Sequence, residues 1–141
     1  MTDTKKLRVL SSSVPGLLAW YSSRAPTEII TALDAALRKA GFIVFARFDH
    51  TQVAHEAGLQ MLPTQVIVFG NPIGGTPLML AAPTLAIDLP SRILVREGPD
   101  AVSEVYFNTL EYLAKRHRLT HMDETISRFD RKVVEIVTSC M

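Results

Sequence analysis

The chain has 141 residues, of which 48% are hydrophobic and 21% are charged. This length and balance fit one globular domain with a real core, and they exclude a disordered or fibrous chain. The formal net charge is +1, so we expect no general attraction to nucleic acid or to a membrane surface.

The first part of the chain predicts a strand and a long helix. After a polar tail over residues 1–14, the stretch "LLAWYSS" at 17–23 has the apolar character of a strand. Pro26 suits the first position of a helix and Gly41 suits its end. Between them isoleucine, leucine and alanine recur at helical spacing, which predicts an amphipathic helix.

Two further strands flank a short helix in the middle of the chain. The stretch "FIVFARF" at 42–48 predicts a strand. Asp49 followed by Gln52 resembles a capping box, which opens a short helix that ends at Gly58. The stretch "TQVIVF" at 64–69 is apolar at nearly every position and predicts a central strand. A short helix near residues 77–82 follows.

The second half predicts a hairpin and two helices. "TLAIDLP" and "RILVRE" predict one strand bent at Pro90, and "EGPDA" predicts the turn to a partner strand, "VSEVYFN". Asn108 with Glu111 forms another capping-box pattern, for a helix that ends in "KRHR". Thr120 with Asp123 predicts the start of the last helix, which runs to about residue 139.

This order of elements predicts an α+β fold. We expect one compact domain over residues 15–119, with a mixed β-sheet of about five strands and helices packed mainly on one face. An amphipathic helix over residues 120–141 follows it.

The cysteine content and the apolar segments bear on the cellular compartment. Cys140 is the only cysteine, so no internal disulfide or cysteine-based zinc site can form, which suits a reducing compartment. Arg8, a serine triplet and Pro15 stand where a signal peptide needs an unbroken apolar run. The apolar region "PLMLAAPTLAIDLP" is too short to span a bilayer. We therefore expect a cytoplasmic protein.

The glycine-rich stretch "VFGNPIGGTPLM" raises the question of a phosphate site. Gly70 and Gly75 have the spacing of the two glycines in a Walker loop, but Thr76 replaces its lysine. Without that charge a nucleotide triphosphatase is excluded. Two interpretations remain: backbone N–H groups that bind an anion at a helix N-terminus, or glycines and Asn71-Pro72 that only turn the chain.

Four histidines are candidates for metal binding or acid–base chemistry. His50 and His55 are five residues apart and point about 140° apart on a helix, so they cannot easily share a metal. His117 lies in the basic stretch "KRHR", where it complements a helix dipole. His121 has no assigned role, and we predict no metal site.

Asp49, His50 and Asp88 flank predicted strand ends, where pockets tend to form. A helix cap is the simpler role for Asp49. Asp88 interrupts the apolar stretch "LAIDLP", and a carboxylate in such a place needs polar partners or water. Either a pocket or a structural contact satisfies that need.

The same segment resembles the core of the domain of unknown function 302 (DUF302) family. The similarity runs from about Trp20 to Arg118, and Tyr106 matches the tyrosine of the last matched strand. The matching motifs are Asp49-His50, Gly58-Leu59, Gly70-Asn71-Pro72, Gly75-Thr76-Pro77-Leu78-Met79 and Ile87-Asp88-Leu89-Pro90. The resemblance implies a compact α+β domain without an established general activity or cofactor.

Polar residues in these motifs are the candidate ligand site, because polar motif residues at loop ends often act together. We predict that a small molecule or anion binds to His50, Asn71, Gly75, Thr76 and Asp88. The backbone of residues 74–76 and His50 would donate, and Asp88 would accept. The alternatives are an enzyme in which Asp88 orients His50 as a general base, or an interaction module without chemistry. No catalytic residue or cofactor is assigned, and no nucleic-acid role is expected.

The last helix suggests an oligomer. Met122, Ile126, Phe129, Val133, Ile136 and Cys140 recur in alternating steps of four and three, as in a heptad seam. Such a stripe either covers the sheet of its own subunit or meets a second copy. The helix from Pro26 already offers an apolar face to the sheet, so we predict a homodimer to which the last helix contributes.

Overall fold

Six strands form one antiparallel sheet in the computed structural model, which describes residues 9–141. The strands are β1 (Leu10–Ser11), β2 (Leu17–Ser22), β3 (Ile43–Asp49), β4 (Thr64–Gly70), β5 (Ser91–Glu97) and β6 (Ser103–Asn108). Their spatial order is β1-β2-β6-β5-β4-β3. Every pair is antiparallel, so the α+β class is confirmed and the mixed sheet is corrected.

Within residues 9–141 five α-helices accompany the sheet: α1 (Pro26–Lys39), α2 (His50–Glu56), α3 (Pro72–Ala81), α4 (Leu110–Arg116) and α5 (Asp123–Cys140). Asp49 caps α2 as predicted, because its side chain accepts a hydrogen bond from the Gln52 N–H. The cap of α4 is Thr109 rather than Asn108. Helix α5 begins after Met122, which adopts a left-handed conformation, and not at Thr120.

Two predicted segments differ in the structure. The loop after β4 is already helical from Pro72, because Asn71 caps that turn and proline suits a first helical position. The first half of the predicted bent strand, "TLAIDLP", is instead mostly a 3₁₀ helix over Pro83–Ile87, followed by a cis peptide bond before Pro90. The second half, "RILVRE", is the strand β5 as predicted. Pro83 holds the φ angle of a helical first turn, and Leu85 is the buried member of that turn.

The polar tail predicted over residues 1–14 divides into two parts. Residues 1–8 lie outside the described range. The two residues of β1 pair with β2, so this part of the tail joins the sheet. Such a short strand carries too little periodicity to be recognised from sequence.

Helices α1 and α5 cover one face of the sheet. They enclose a core that includes Trp20, Leu33, Phe69 and Val133, each with no exposed surface. A second core lies between α3, the 3₁₀ helix, α4 and the start of α5, and its buried residues include Leu78, Leu85, Leu110, Leu113 and Ile126. Phe129 of α5 packs against both cores.

Helix α5 is therefore part of the domain and not an appendage after residue 119. Val133 is fully buried and Ile126 and Cys140 are each 4% exposed, so much of the stripe that suggested a dimer seam is buried within the same subunit. Helix α1 does not cover the sheet alone. Asp130 of α5 also accepts hydrogen bonds from the backbone N–H groups of Leu110 (2.8 Å) and Glu111 (3.0 Å) at the start of α4.

We predict that Phe129 is a major contributor to stability because it joins the two cores. Phe129→Ala should lower the free energy of unfolding by about 3 kcal/mol, the usual cost of deleting a packed aromatic ring. Chemical denaturation measures this loss. Phe48→Ala is the control, because Phe48 is 54% exposed and its removal should change the free energy by less than about 1 kcal/mol. Equal losses in the two variants would contradict the role of Phe129.

Candidate functional site

A cavity of about 160 Å³ lies between the end of β4, the start of α3 and the start of β5. Helix α5 and the edge strand β3 complete its walls. The lining residues are Phe45, Gly70, Asn71, Pro72, Gly74, Gly75, Leu78, Met79, Leu89, Pro90, Ser91, Leu110, Thr125 and Phe129. None of them carries a charge, so within residues 9–141 the cavity is apolar with a few neutral polar groups.

The glycines of α3 leave this space open. A side-chain Cβ built at Gly74 or at Gly75 would meet no atom within 4 Å, so the wall of the cavity lacks the side chains that would normally fill it. Gly70 is closer to its neighbours, because a Cβ there would meet Phe45 at 3.5 Å and Pro90 at 3.7 Å. The glycine-rich stretch thus shapes a cavity as well as a turn.

The N-terminus of α3 is already satisfied by Asn71. The Asn71 side chain accepts a hydrogen bond from the Ile73 N–H at 3.0 Å. The N–H groups of Gly74 and Gly75 donate to the Asn71 carbonyl oxygen at 3.1 and 2.8 Å. These two backbone groups were expected to donate to a ligand, but their hydrogen bonds are made within the helix, and the anion site loses its main donors.

Ser91 is the buried polar group of the cavity. It is 4% exposed and lines the cavity, and its hydroxyl forms no side-chain hydrogen bond with the part of the chain that the structure describes. Every fully enclosed polar side-chain atom of the described residues does have a partner. The Ser91 oxygen is therefore not fully enclosed, and because Ser91 lines the cavity, a ligand or a water in that space can reach it.

The structure separates the five predicted site residues. Asn71 and Gly75 line the cavity. Thr76 is exposed on α3 and is not among the lining residues. Asp88 contacts α4 instead, and His50 lies at the other end of the sheet. The lining residues Phe45, Ser91, Leu110, Thr125 and Phe129 were not predicted, because they come from four separate elements that no local motif connects.

His50 cannot share a pocket with Asn71. Asp49 pairs with Gln65 near the start of β4, and Ile43 pairs with Gly70 at its end. Five residues of strand separate these two levels, which is about 17 Å at the usual rise. His50 therefore belongs to the opposite end of the sheet, where it is exposed.

Asp88 forms a polar cluster with the end of α4. It accepts hydrogen bonds from Arg116 Nη1 and His117 Nε2, both at 2.5 Å. The other ring nitrogen of His117 contacts Thr84 Oγ1 at 2.8 Å. Burial by itself would raise the pKa of Asp88, but the hydrogen bonds from His117 and Arg116 outweigh it and lower the pKa. The cluster ties the 3₁₀ helix to α4, and His117 takes the place in it that was expected for His50.

A second polar cluster occupies the sheet face turned away from α1 and α5. Glu104 accepts hydrogen bonds from Arg96 Nη1 at 2.6 Å and from the Tyr106 hydroxyl at 2.8 Å. Burial, with further contributions from Glu104 and Tyr21, raises the pKa of Tyr106. Because Glu104 and its partners satisfy one another across β5 and β6, we assign this cluster to sheet stability.

Residues 9–141 contain neither a metal-binding cluster nor a membrane-spanning helix. No group of three His, Cys, Asp or Glu side chains is placed to hold a metal ion in this range. No helix in the same range is long and apolar enough to cross a membrane.

The sequence matches the family described as domain of unknown function DUF302 over residues 19–136. It is similar to the uncharacterized conserved protein DUF302 from Bacillus stearothermophilus, whose crystal structure has a TM-score of 0.81 and 17% identity and covers 91% of this chain and 100% of that one. At this identity the likeness concerns the fold.

Two relatives from Brucella also match. The chain is 39% identical over 104 residues to Fluoride-specific ion channel FluC 1 of Brucella suis biovar 1 (strain 1330), with 74% of this chain and 41% of that protein covered. Fluoride-specific ion channel FluC 1 of Brucella abortus biovar 1 (strain 9-941) shows the same identity, with 38% of its length covered. The chain thus spans about two fifths of these relatives.

We predict that Asp88 contributes to stability through α4. Asp88→Asn should lower the free energy of unfolding by about 1–3 kcal/mol at neutral pH, because two charge-assisted hydrogen bonds are weakened. The folded-state pKa of Asp88 is below its ordinary value of 3.8, so its contribution is full above that pH and is lost as the pH falls through the folded pKa. Melting curves of the variant and wild type should therefore converge in acid.

His50→Ala provides the comparison at the other end of the sheet. His50 is exposed and its removal should change the free energy of unfolding by less than about 1 kcal/mol. If Asp88→Asn were equally neutral at pH 7, the cluster would not be stabilising, and the carboxylate would again be a candidate for ligand contact.

Proposed function

This chain belongs to the DUF302 family, and we propose that it binds a small, mainly apolar molecule with one hydrogen-bonding group in the cavity beside α3. The observation that carries the proposal is Ser91, which is only 4% exposed and lines an uncharged cavity, and whose hydroxyl makes no hydrogen bond within residues 9–141. Apolar walls with one or two placed polar groups are typical of small-molecule sites. Asn71 and Thr125 add neutral polar groups to the lining.

The volume limits the size of the ligand. The cavity of about 160 Å³ is close to an engineered apolar cavity of about 150 Å³ that binds benzene. A single ring with a hydroxyl or carbonyl group therefore matches both the space and Ser91. The ring would pack against Phe129, Leu78 and Met79.

A neutral ligand is favoured over an anion. No lining residue carries a positive charge, and the Gly74 and Gly75 N–H groups donate to Asn71. An anion in this space would lose its hydration without gaining a charged partner, which is unfavourable. The Brucella relatives are named as fluoride-specific ion channels, so fluoride serves as the competing anionic ligand.

An acid–base enzyme is the second candidate. The Thr84, His117 and Asp88 side chains form a hydroxyl–imidazole–carboxylate chain, an arrangement used to activate nucleophiles. The sequence suggested His50 as the base, but His117 is the histidine that contacts Asp88. In this candidate His117 would take the proton of the Thr84 hydroxyl as that oxygen attacks the carbonyl carbon of an activated ester. The ester C–O bond then breaks, the alcohol leaves with the proton held by His117, and water hydrolyses the acyl group from Thr84.

Hydrolysis of p-nitrophenyl acetate tests the second candidate. Wild type should release nitrophenol faster than Thr84→Val, which keeps the shape of the side chain and removes the hydroxyl. Thr76→Val is the matched control, because Thr76 is also an exposed threonine but has no histidine partner in the structure. Equal rates for all three proteins would exclude Thr84 as a nucleophile.

We predict that phenol binds in the cavity and raises the melting temperature more than benzene or sodium fluoride does. Gly75→Leu should remove this shift, because the new side chain enters open space, and its fold should be kept since leucine favours a helix over glycine by about 0.7–1 kcal/mol. Thr76→Leu on the exposed side of α3 is the matched control and should keep the shift. Thermal melts and calorimetric titration measure both effects.

Ser91→Ala separates the polar contact from the apolar walls. It should reduce phenol binding to about the level of benzene and weaken phenol about fivefold or more, as expected for the loss of about 1 kcal/mol from one hydrogen bond. Unchanged phenol binding in Gly75→Leu would show that the ligand binds elsewhere. A stronger response to fluoride than to phenol would replace the proposal with an anion site.

A further inference from the structure

Phe45 stands at an irregular point of the edge strand β3. In the pairing of β3 with β4, Val44 lies opposite Phe69 and Ala46 lies opposite Val68, so Phe45 is the extra residue of a β-bulge. A bulge turns a side chain out of the regular alternation of a strand, and bulges often lie next to functional sites. Phe45 lines the cavity, although it is 50% exposed.

Gly70 allows the ring of Phe45 to lie against strand β4. A Cβ built on Gly70 would meet Phe45 Cε2 at 3.5 Å and Pro90 Cβ at 3.7 Å, so the ring lies beside the space that a larger side chain would use. Side chains alternate between the two faces of a strand, and the neighbouring Phe69 points into the core under α1 and α5. The ring of Phe45 is therefore on the face turned away from these helices.

The cavity thus has an aromatic ring on each side of the end of the sheet. Phe129 of α5 stacks on Phe69 with ring centres 6.4 Å apart, which places Phe129 on the face that α5 covers. Phe45 lies on the other face, and both rings line the same cavity. Phe129 is the inner wall, and the half-exposed Phe45 is the outer wall, towards the solvent.

We infer that Phe45 makes the cavity selective for flat aromatic ligands, because its ring closes the outer side of the cavity against one face of the ligand. The inference rests on the proposed function, since it concerns the same cavity. Two aromatic rings in contact attract each other beyond the area that they bury. A puckered saturated ring of the same size cannot make this contact, so the ligand class is an aromatic alcohol or carbonyl compound and not an alicyclic one.

Calorimetric titration of the full chain with phenol and with cyclohexanol tests the selectivity, because both molecules have a six-membered ring and one hydroxyl group. Wild type should bind phenol more tightly than cyclohexanol. Phe45→Leu should weaken phenol binding about threefold or more, the effect of losing one aromatic contact, and should change cyclohexanol binding less than about twofold.

Phe48→Leu is the matched control for this titration. Phe48 is 54% exposed on the same strand and is not among the residues that line the cavity, so this variant should bind both molecules as wild type does. Thermal melts of the two variants confirm that each one is folded before its affinities are compared.

Nuclear magnetic resonance gives a second measurement that needs no variant. Phenol bound to isotope-labelled wild type should show nuclear Overhauser effects to the ring protons of Phe45 and of Phe129, because these two rings line the cavity. It should show none to Phe48.

The outcomes separate this inference from the proposed function. If wild type binds no phenol, or if phenol binds equally well to Gly75→Leu, the cavity site fails and the role of Phe45 fails with it. If phenol binds in the cavity but wild type binds cyclohexanol equally well, Phe45 does not select the ligand. The same conclusion follows if Phe45→Leu keeps the preference of Phe48→Leu, or if Phe45 shows no Overhauser effect, and in these cases the cavity site stands.

Discussion

The packing of α5 across the sheet is the constraint on which the other features depend. Phe129 stacks on Phe69 with ring centres 6.4 Å apart and meets the edge of Phe42 at 5.8 Å, and the same residue reaches the second core near α3 and α4. One turn further on, Val133 is fully buried. Asp130 of α5 also accepts hydrogen bonds from the first N–H groups of α4. Helix α5 therefore covers the sheet and also fixes the position of the elements around the cavity.

The cavity forms because α3 carries glycines where it lines the space beside α4 and α5. Phe129, Leu110 and Leu78 line the cavity beside α3, but Gly74 and Gly75 provide no side chain to fill it. Protein interiors normally leave few voids larger than a water molecule. Gly74 and Gly75 leave such a void beside Ser91, whose hydroxyl makes no hydrogen bond within residues 9–141, and this combination supports the proposal that a ligand binds there.

The polar motif residues divide between scaffold and site. Asp49 and Asn71 cap helices, and Asp88 joins Arg116 and His117 of α4 to the 3₁₀ helix. Each of these groups compensates a cost of burial or of an open helix end. Asn71 belongs to the scaffold and to the candidate site, because it caps α3 and also lines the cavity. Motif membership alone therefore did not separate the residues that line the cavity from those that make only structural contacts.

Local signals in the sequence were sufficient for the α+β class, the family, α1, α2 and most strands, because helix period, strand composition and caps such as Asp49 act within a few residues. The sequence also predicted Asn71 and Gly75 at a site. Tertiary structure decided that every strand pair is antiparallel and that α5 covers its own sheet. It also decided that His50 lies at the far end from Asn71 and that Ser91 faces a cavity. These features depend on register and on contacts between residues far apart in the chain, such as Asp88 with His117, and short-range patterns do not encode the partner of a side chain.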